Sequence, residues 1–400
     1  KYGIAGCGGA DGPPEPLFIF AAAHRVPLPE LVSELNAALR GEWKEDRAQK
    51  GAPTEELESE QLYKQFVFAA LLVALTAGFG LGVVNLTRIS LAHSYSAIGG
   101  ALKQVHGHAQ VFGWVGLFVM GVAMHAVPRM KMRPLRPIRA AKACLWLMLG
   151  GLVARTFGQP FGATAVGRIA ILGSGLLELA AVGLFVGLLI TIVVRSEQTH
   201  ESYEMFIGAS LLWFGVLAVW NFWIALQMAL HRSVGVPALQ DALWIHVAFF
   251  GFIANMIFGF SLRLLPHFLG LRESKTWTAN VAFVLWNVAI LLRYPIESLA
   301  WKAAILEALA IALFIWSLGI FARRRTKIEI QGVDNTFAWF VTLGYAWLLM
   351  VALVPFHADV FRLTASARHT MAVGFITPMI LGVAYRVLPI FNGVNLWSNR

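Results

Sequence analysis

Cysteine is nearly absent from this chain. The only two in 400 residues, Cys7 and Cys144, stand far apart and match no metal-ligand spacing, which excludes a disulfide framework and a cysteine-type metal cluster. Charge is scarce as well: 14% of residues are charged against 58% hydrophobic, and the mean hydropathy is +0.66. Soluble domains carry about 25% charged residues, so this composition excludes an ordinary soluble fold and describes a polytopic membrane protein. Acidic residues are the minority, 22 against 32 Lys and Arg, giving a net charge of +10. The basic residues gather in short loops between apolar runs, where they report topology and do not imply a nucleic-acid partner. P-loop, HExxH and GxSxG motifs are also missing, which removes the soluble-type chemistries they carry.

What the chain does have is a threefold repeat. In each copy a His is followed by Gly at plus five, an aromatic at plus six, Gly at plus thirteen and Pro at plus twenty. The copies read His108, Gly113, Trp114, Gly121, Pro128; then His246, Gly251, Phe252, Gly259, Pro266; then His369, Gly374, Phe375, Gly382, Pro389. Self-similarity of this kind marks a repeated structural unit. Each copy lies in an apolar run long enough to cross a hydrocarbon core about 30 Å thick as a helix, with His toward one face and Pro toward the other. The Gly and Pro positions fall roughly 140–220° around the helix from the His, so they form a close-packing face opposite the imidazole. An ionisable side chain inside a membrane helix is costly without a partner, and the three His are therefore candidate functional residues.

From residue 65 onward ten apolar spans are expected, at approximately 65–87, 104–128, 142–160, 165–194, 205–230, 241–266, 277–295, 298–322, 336–357 and 365–391. The repeated helices are spans two, six and ten, so the repeat unit is a group of four helices: spans three to six, spans seven to ten, and the first two spans with a missing pair. The fold class expected is all-α, a polytopic membrane helix bundle with pseudo-threefold four-helix repeats and twelve spans in the full fold. Residues 1–60 form a separate small helical module with an amphipathic segment from Leu28 to Leu39 and a charged linker, and residues 61–400 form the membrane domain. The opening lacks Met and any signal-peptide pattern, and residues before Lys1 are expected. Arg129, Lys131, Arg133, Arg136, Arg139 and Lys142 follow span two, and Arg323, Arg324, Arg325 and Lys327 follow span eight. By the positive-inside rule both loops and the N-terminal module are cytoplasmic, which places the His ends outward.

Other polar residues recur. Arg155 and Arg293 each precede a proline, and Leu177-Glu178 returns as Leu306-Glu307. Each group is expected to hold an internal Arg–Glu contact, or to offer its Arg to an acidic group of a cofactor. His106 and His357 admit two readings, as solvated interfacial residues or as further ligands. Three His at one depth suit haem iron or copper, with Trp114, Phe252 and Phe375 lining the pocket. A proton relay or transport site is the competing chemistry.

The segments HGHAQVFGW with GVAMHAVPR, HVAFFGF with FSLRLLPHFLG, and RHTMAVGFITPMILGVAYRVLP resemble the NnrS family, membrane proteins that bind haem and copper and are linked to nitric oxide stress. More distantly, their arrangement resembles subunit I of the haem–copper oxidases. That resemblance implies His108 and His369 as axial ligands of a b-type haem, and His246, beside Trp244, as a copper ligand. Span seven lacks the His pair of the oxidases and span ten has one His where they have two, so an intact oxygen-reducing centre is not implied. A single haem, or a haem with an altered metal site using His106, His246 and His357, fits the count. KYGIAGCGG followed by PLPELVSELNAAL resembles the end of small helical domains of the ScdA-N type, which implies a ligand or redox role for Cys7.

The expected function is electron transfer, or binding and turnover of a diatomic gas such as nitric oxide. If the protein is an enzyme it is an oxidoreductase, with quinol or a cytochrome as electron donor, in a bacterial inner membrane. The alternatives are a cofactor-free transporter and a structural subunit accompanying other respiratory subunits.

Overall fold

The computed structural model describes Leu17, Ala21 and residues 27–42, 54–198, 200–272, 274–293, 299–322, 336–353 and 365–392. Among these residues every regular element is helical. Cys7, His24, Pro295, His357, Arg323, Arg324, Arg325 and Lys327 lie outside them. Ahead of the membrane domain, α1 (Leu28–Leu39) starts behind Pro27 and buries Leu31.

Among the described residues nine helices are long and apolar enough to cross a membrane: α2 (Gln61–Ala92), α3 (Gly100–Met130), α4 (Ile138–Phe161), α5 (Ala165–Val194), α6 (Ser202–Leu230), α7 (Ala238–Pro266), α9 (Ala300–Leu318), α10 (Thr336–Leu353) and α11 (Ala367–Leu388). A shorter apolar helix, α8 (Thr276–Leu292), completes the ten expected spans. The chain is a multi-pass membrane protein. Local chemistry sets the ends: Thr164 caps α5 through Gly167 N–H, Glu201 and Glu204 form a capping box at the start of α6, and Gly319 ends α9 with a positive φ that a glycine adopts without strain.

Two of the repeated helices are the inner ones: in α3 and α7, 94% of the most apolar window is buried, against 56% in the third, α11, and 33–50% in the other six. Each repeated helix lays both repeated glycines on the helix before it. A Cβ on Gly121 would stand 2.5 Å from Phe66 Cβ, one on Gly259 2.7 Å from Ile207 Cγ1, and one on Gly382 2.9 Å from Phe340 Cβ. Gly113, Gly251 and Gly374 meet Val73, Trp213 and Trp347 in the same way. The close-packing face expected from sequence is thus real: each repeated helix pairs with the helix before it, α2–α3, α6–α7 and α10–α11. Counted from these pairs, α2–α5 form a first unit of four helices and α6–α9 a second.

A feature absent from the sequence reading is a π-helical segment directly after each repeated His: Ala109–Gly116, Val247–Ala254 and Thr370–Ile376. A wider turn displaces carbonyls from their usual partners, and such segments gather at functional sites. Side chains take up the displaced carbonyls of the second segment. Trp286 Nε1 donates to Phe250 O at 2.9 Å, Asn255 Nδ2 to Gly251 O at 2.8 Å, and Ser210 Oγ to Phe252 O at 2.7 Å. A fourth π segment, Ala74–Gly78, lies in α2.

At the proline end of the bundle, buried Lys131 donates to Glu204 at 2.5 Å and its carbonyl accepts from Ser196, which ties the end of α3 to the start of α6.

Candidate functional site

The two residues of the His106-Gly107-His108 pair face different ways, because residues two apart on a helix point about 200° from each other. His108 points inward and is buried. Its Nε2 lies 2.9 Å from Glu178 Oε1 on α5, and Asn221 Nδ2 on α6 donates to Glu178 Oε2 at 2.7 Å. Its ring stacks on Phe112 at 5.0 Å and on Trp244 at 5.7 Å. The second unit repeats the pairing: His246 Nε2 lies 3.1 Å from Glu307 Oε1, Arg293 donates to Glu307 Oε2 at 3.0 Å, and the His246 ring stacks on Phe250 at 4.2 Å. A carboxylate and an imidazole each give the other the partner that a membrane interior denies them.

The expected Arg–Glu contact therefore holds in one unit and not in the other. Arg293 meets Glu307 directly. Arg155 instead donates from Nε to Gln159 Oε1 at 2.8 Å and from Nη2 to Met228 Sδ at 3.5 Å. Glu178, which that pattern assigns to it, is taken by His108 and Asn221. Sequence reasoning missed both His–Glu pairs, although one His and one Glu recur in each unit and neither is affordable alone in lipid.

His106 points outward, toward α2. Its Nδ1 lies 2.8 Å from Gly78 O, and since a carbonyl only accepts, Nδ1 carries the proton and Nε2 keeps its lone pair. Gly78 closes the π segment of α2 with a ψ of −103°, outside the helical range, which turns its carbonyl to the ring. Gly82, one turn on, leaves the imidazole its room: a Cβ there would stand 3.1 Å from His106 Cε1. His106 and His369 are close enough for their charges to act on each other. His106 is half-buried and His369 is exposed.

The aromatics expected around a pocket pack against other rings. Phe252 stacks on Phe214 at 3.9 Å and 3°, Phe375 packs against Tyr345 at 5.7 Å and Phe258 at 6.3 Å, and Trp114 lies against Phe118 at 5.9 Å. These contacts make all three part of the helix core. Among the described residues no group of three or more His, Cys, Asp or Glu could hold a metal ion.

A polar cluster lies at the same end of the bundle as His106 and His369. Arg368 Nη1 donates to Asp241 Oδ2 at 3.0 Å, and Lys103 and Arg155 also lie within electrostatic reach of Asp241. Gln159 Nε2 donates to Gln104 Oε1 at 3.1 Å and to Val234 O at 3.2 Å. Gln104 accepts from Val236 N–H and donates to Val236 O, both at 2.8 Å, which ties the loop before α7 to α3. Compared with protein-family models and with curated proteins, the chain finds no significant match.

Proposed function

We propose that this chain is a haem-binding membrane protein acting in electron transfer or in binding of a diatomic gas, with His106 and His369 as the iron ligands. The observation that carries the reading is the bond from His106 Nδ1–H to Gly78 O at 2.8 Å. A backbone carbonyl that fixes the tautomer and orientation of an imidazole, and leaves Nε2 free, is the usual support of a metal-ligating His. A second imidazole, His369, lies within electrostatic reach from another repeated helix. Two imidazoles, one oriented by Gly78 and one carried by α11, would supply the ligands of such an iron.

His108, the ligand implied by the family resemblance, is replaced in this proposal by His106, because Glu178 already holds its Nε2. His246 stays outside it for the same reason, its Nε2 facing Glu307, and with it the copper role. A haem iron held by these two residues would supply one-electron transfer or diatomic-gas chemistry when bound. The chain's own part is to fix one imidazole through Gly78 and to bring the other from α11. The NnrS-like resemblance, a bacterial cytoplasmic membrane, His ends toward the outer face and a quinol or cytochrome donor belong to the same reading.

The test is an absorption spectrum of the detergent-purified protein, oxidised, reduced, and reduced with carbon monoxide or nitric oxide, with iron and copper quantified on the same sample. Stoichiometric haem iron without copper supports the proposal. A gas-induced shift selects gas binding and its lack selects electron transfer. Protein free of haem however it is produced would overturn the reading in favour of a scaffold or transporter.

A further inference from the structure

We infer that Arg155 is the fixed cation of an oxyanion-binding position at the histidine end of the bundle, which takes a carboxylate from outside the chain. Arg155 is 4% exposed, and its guanidinium is charged at any working pH. Among the described residues its hydrogen-bond partners are the neutral Gln159 Oε1 and Met228 Sδ, and its buried Nη1 has none. The two carboxylates within electrostatic reach, Glu178 and Asp241, are bonded elsewhere, Glu178 to His108 and Asn221 and Asp241 to Arg368. A buried cation without an adjacent anion is costly, and that cost is normally met by a paired, hydrogen-bonded partner.

The second unit shows what the fold does when the Arg serves only the protein: Arg293 meets Glu307 at 3.0 Å. In the first unit Arg155 bonds Gln159, itself held by Gln104 and Val234 O, and the equivalent carboxylate, Glu178, bonds His108 and Asn221. Lys103 and Arg368 bring further positive charge around Asp241, and Arg368 adjoins His369 in sequence. The position therefore lies at the same end of the bundle as His106 and His369. A carboxylate reaching it comes either from a side chain of the bound haem, a source that rests on the function proposed above, or from a free small carboxylate. A bidentate or charge-assisted contact to Arg serves both.

The test uses the full chain in detergent, produced without haem, and compares binding of haem with binding of its dimethyl ester, which lacks free carboxylates. In parallel, thermal unfolding is followed in sodium acetate against sodium chloride at equal ionic strength. If the haem carboxylate is the ligand, the wild type prefers the acid by about tenfold or more. Arg155→Gln then loses that preference, while Arg155→Lys and Arg293→Gln keep most of it. If the ligand is a free carboxylate, acid and ester bind alike, but acetate raises the unfolding temperature of the wild type and of Arg293→Gln and not that of Arg155→Gln. Failure of either porphyrin to bind would remove the haem proposal and leave the acetate result to decide this one. Equal binding of acid and ester, or no binding of either, together with no acetate effect would overturn it.

Discussion

His106 and Gly78 face each other across α2 and α3, the imidazole donating from Nδ1 to the carbonyl at 2.8 Å. The contact exists because α2 widens into a π segment at Ala74–Gly78 and because Gly82 has no side chain to fill the space under the ring. Two local features therefore converge on one ring orientation, at a position the threefold repeat does not mark.

Gly82→Leu places a side chain where His106 Cε1 stands 3.1 Å from the glycine's missing Cβ. The ring has to turn away from Gly78. Haem content per protein is expected to fall to about the level of His106→Ala, while Gly99→Leu, where a Cβ meets nothing within 4 Å, is expected to retain it. Pyridine haemochrome assay with protein quantification reads both.

The His108–Glu178 pair is buried on both sides, at 6% and 0% side-chain exposure. Removing one partner leaves the other alone in the interior, at a cost of about 3–5 kcal/mol. His108→Phe and Glu178→Leu are each expected to destabilise strongly, and the double variant by clearly less than the sum. Denaturant unfolding in detergent closes the cycle, and additive effects would contradict the pairing.

Arg293→Leu strips Glu307 of its ion pair, whereas Arg155→Leu removes a cation that has no bonded carboxylate. The first is expected to lower stability by about 3 kcal/mol or more, and the second by less in protein without bound haem. Comparing unfolding midpoints of the two single variants reads the difference directly.

Gly251→Ala introduces a Cβ 2.8 Å from the Trp213 ring, while at Gly183 a Cβ meets nothing within 4 Å. Overpacking of this kind costs about 1–3 kcal/mol. Gly251→Ala is expected to lower the unfolding temperature, and Gly183→Ala to leave it unchanged or slightly raised.

Much of the architecture was legible because the His-Gly-aromatic-Gly-Pro spacing reports a physical constraint that each unit shares. Gly113, Gly121, Gly251, Gly259, Gly374 and Gly382 all meet the preceding helix, as a close-packing face requires. The candidate site was less legible for a related reason. The repeated glycines serve the scaffold in every copy, and of the repeated histidines His108 and His246 each hold a carboxylate, while His369 is a proposed ligand. His106 does not repeat: its counterparts are Trp244, which stacks on His108, and Ala367. Repetition therefore pointed to the neighbouring His, and only the displaced carbonyl of Gly78, set by a π turn with no sequence signature, singles out the other. Arg155 was ambiguous until Gln159 showed which way its guanidinium turns. The π segments themselves are invisible to a helical period, since one extra residue per turn leaves the run of apolar side chains unbroken.

Ligand replacement on the purified protein tests the central assignment most directly: His106→Gly, His369→Gly and His108→Gln, each reduced and examined by absorption with and without added imidazole. Ligation by His106 and His369 predicts that the two glycine variants lose the six-coordinate haem spectrum and regain it with imidazole, while His108→Gln keeps it. A normal spectrum in His106→Gly, with loss and imidazole rescue confined to a variant at His108, would contradict it.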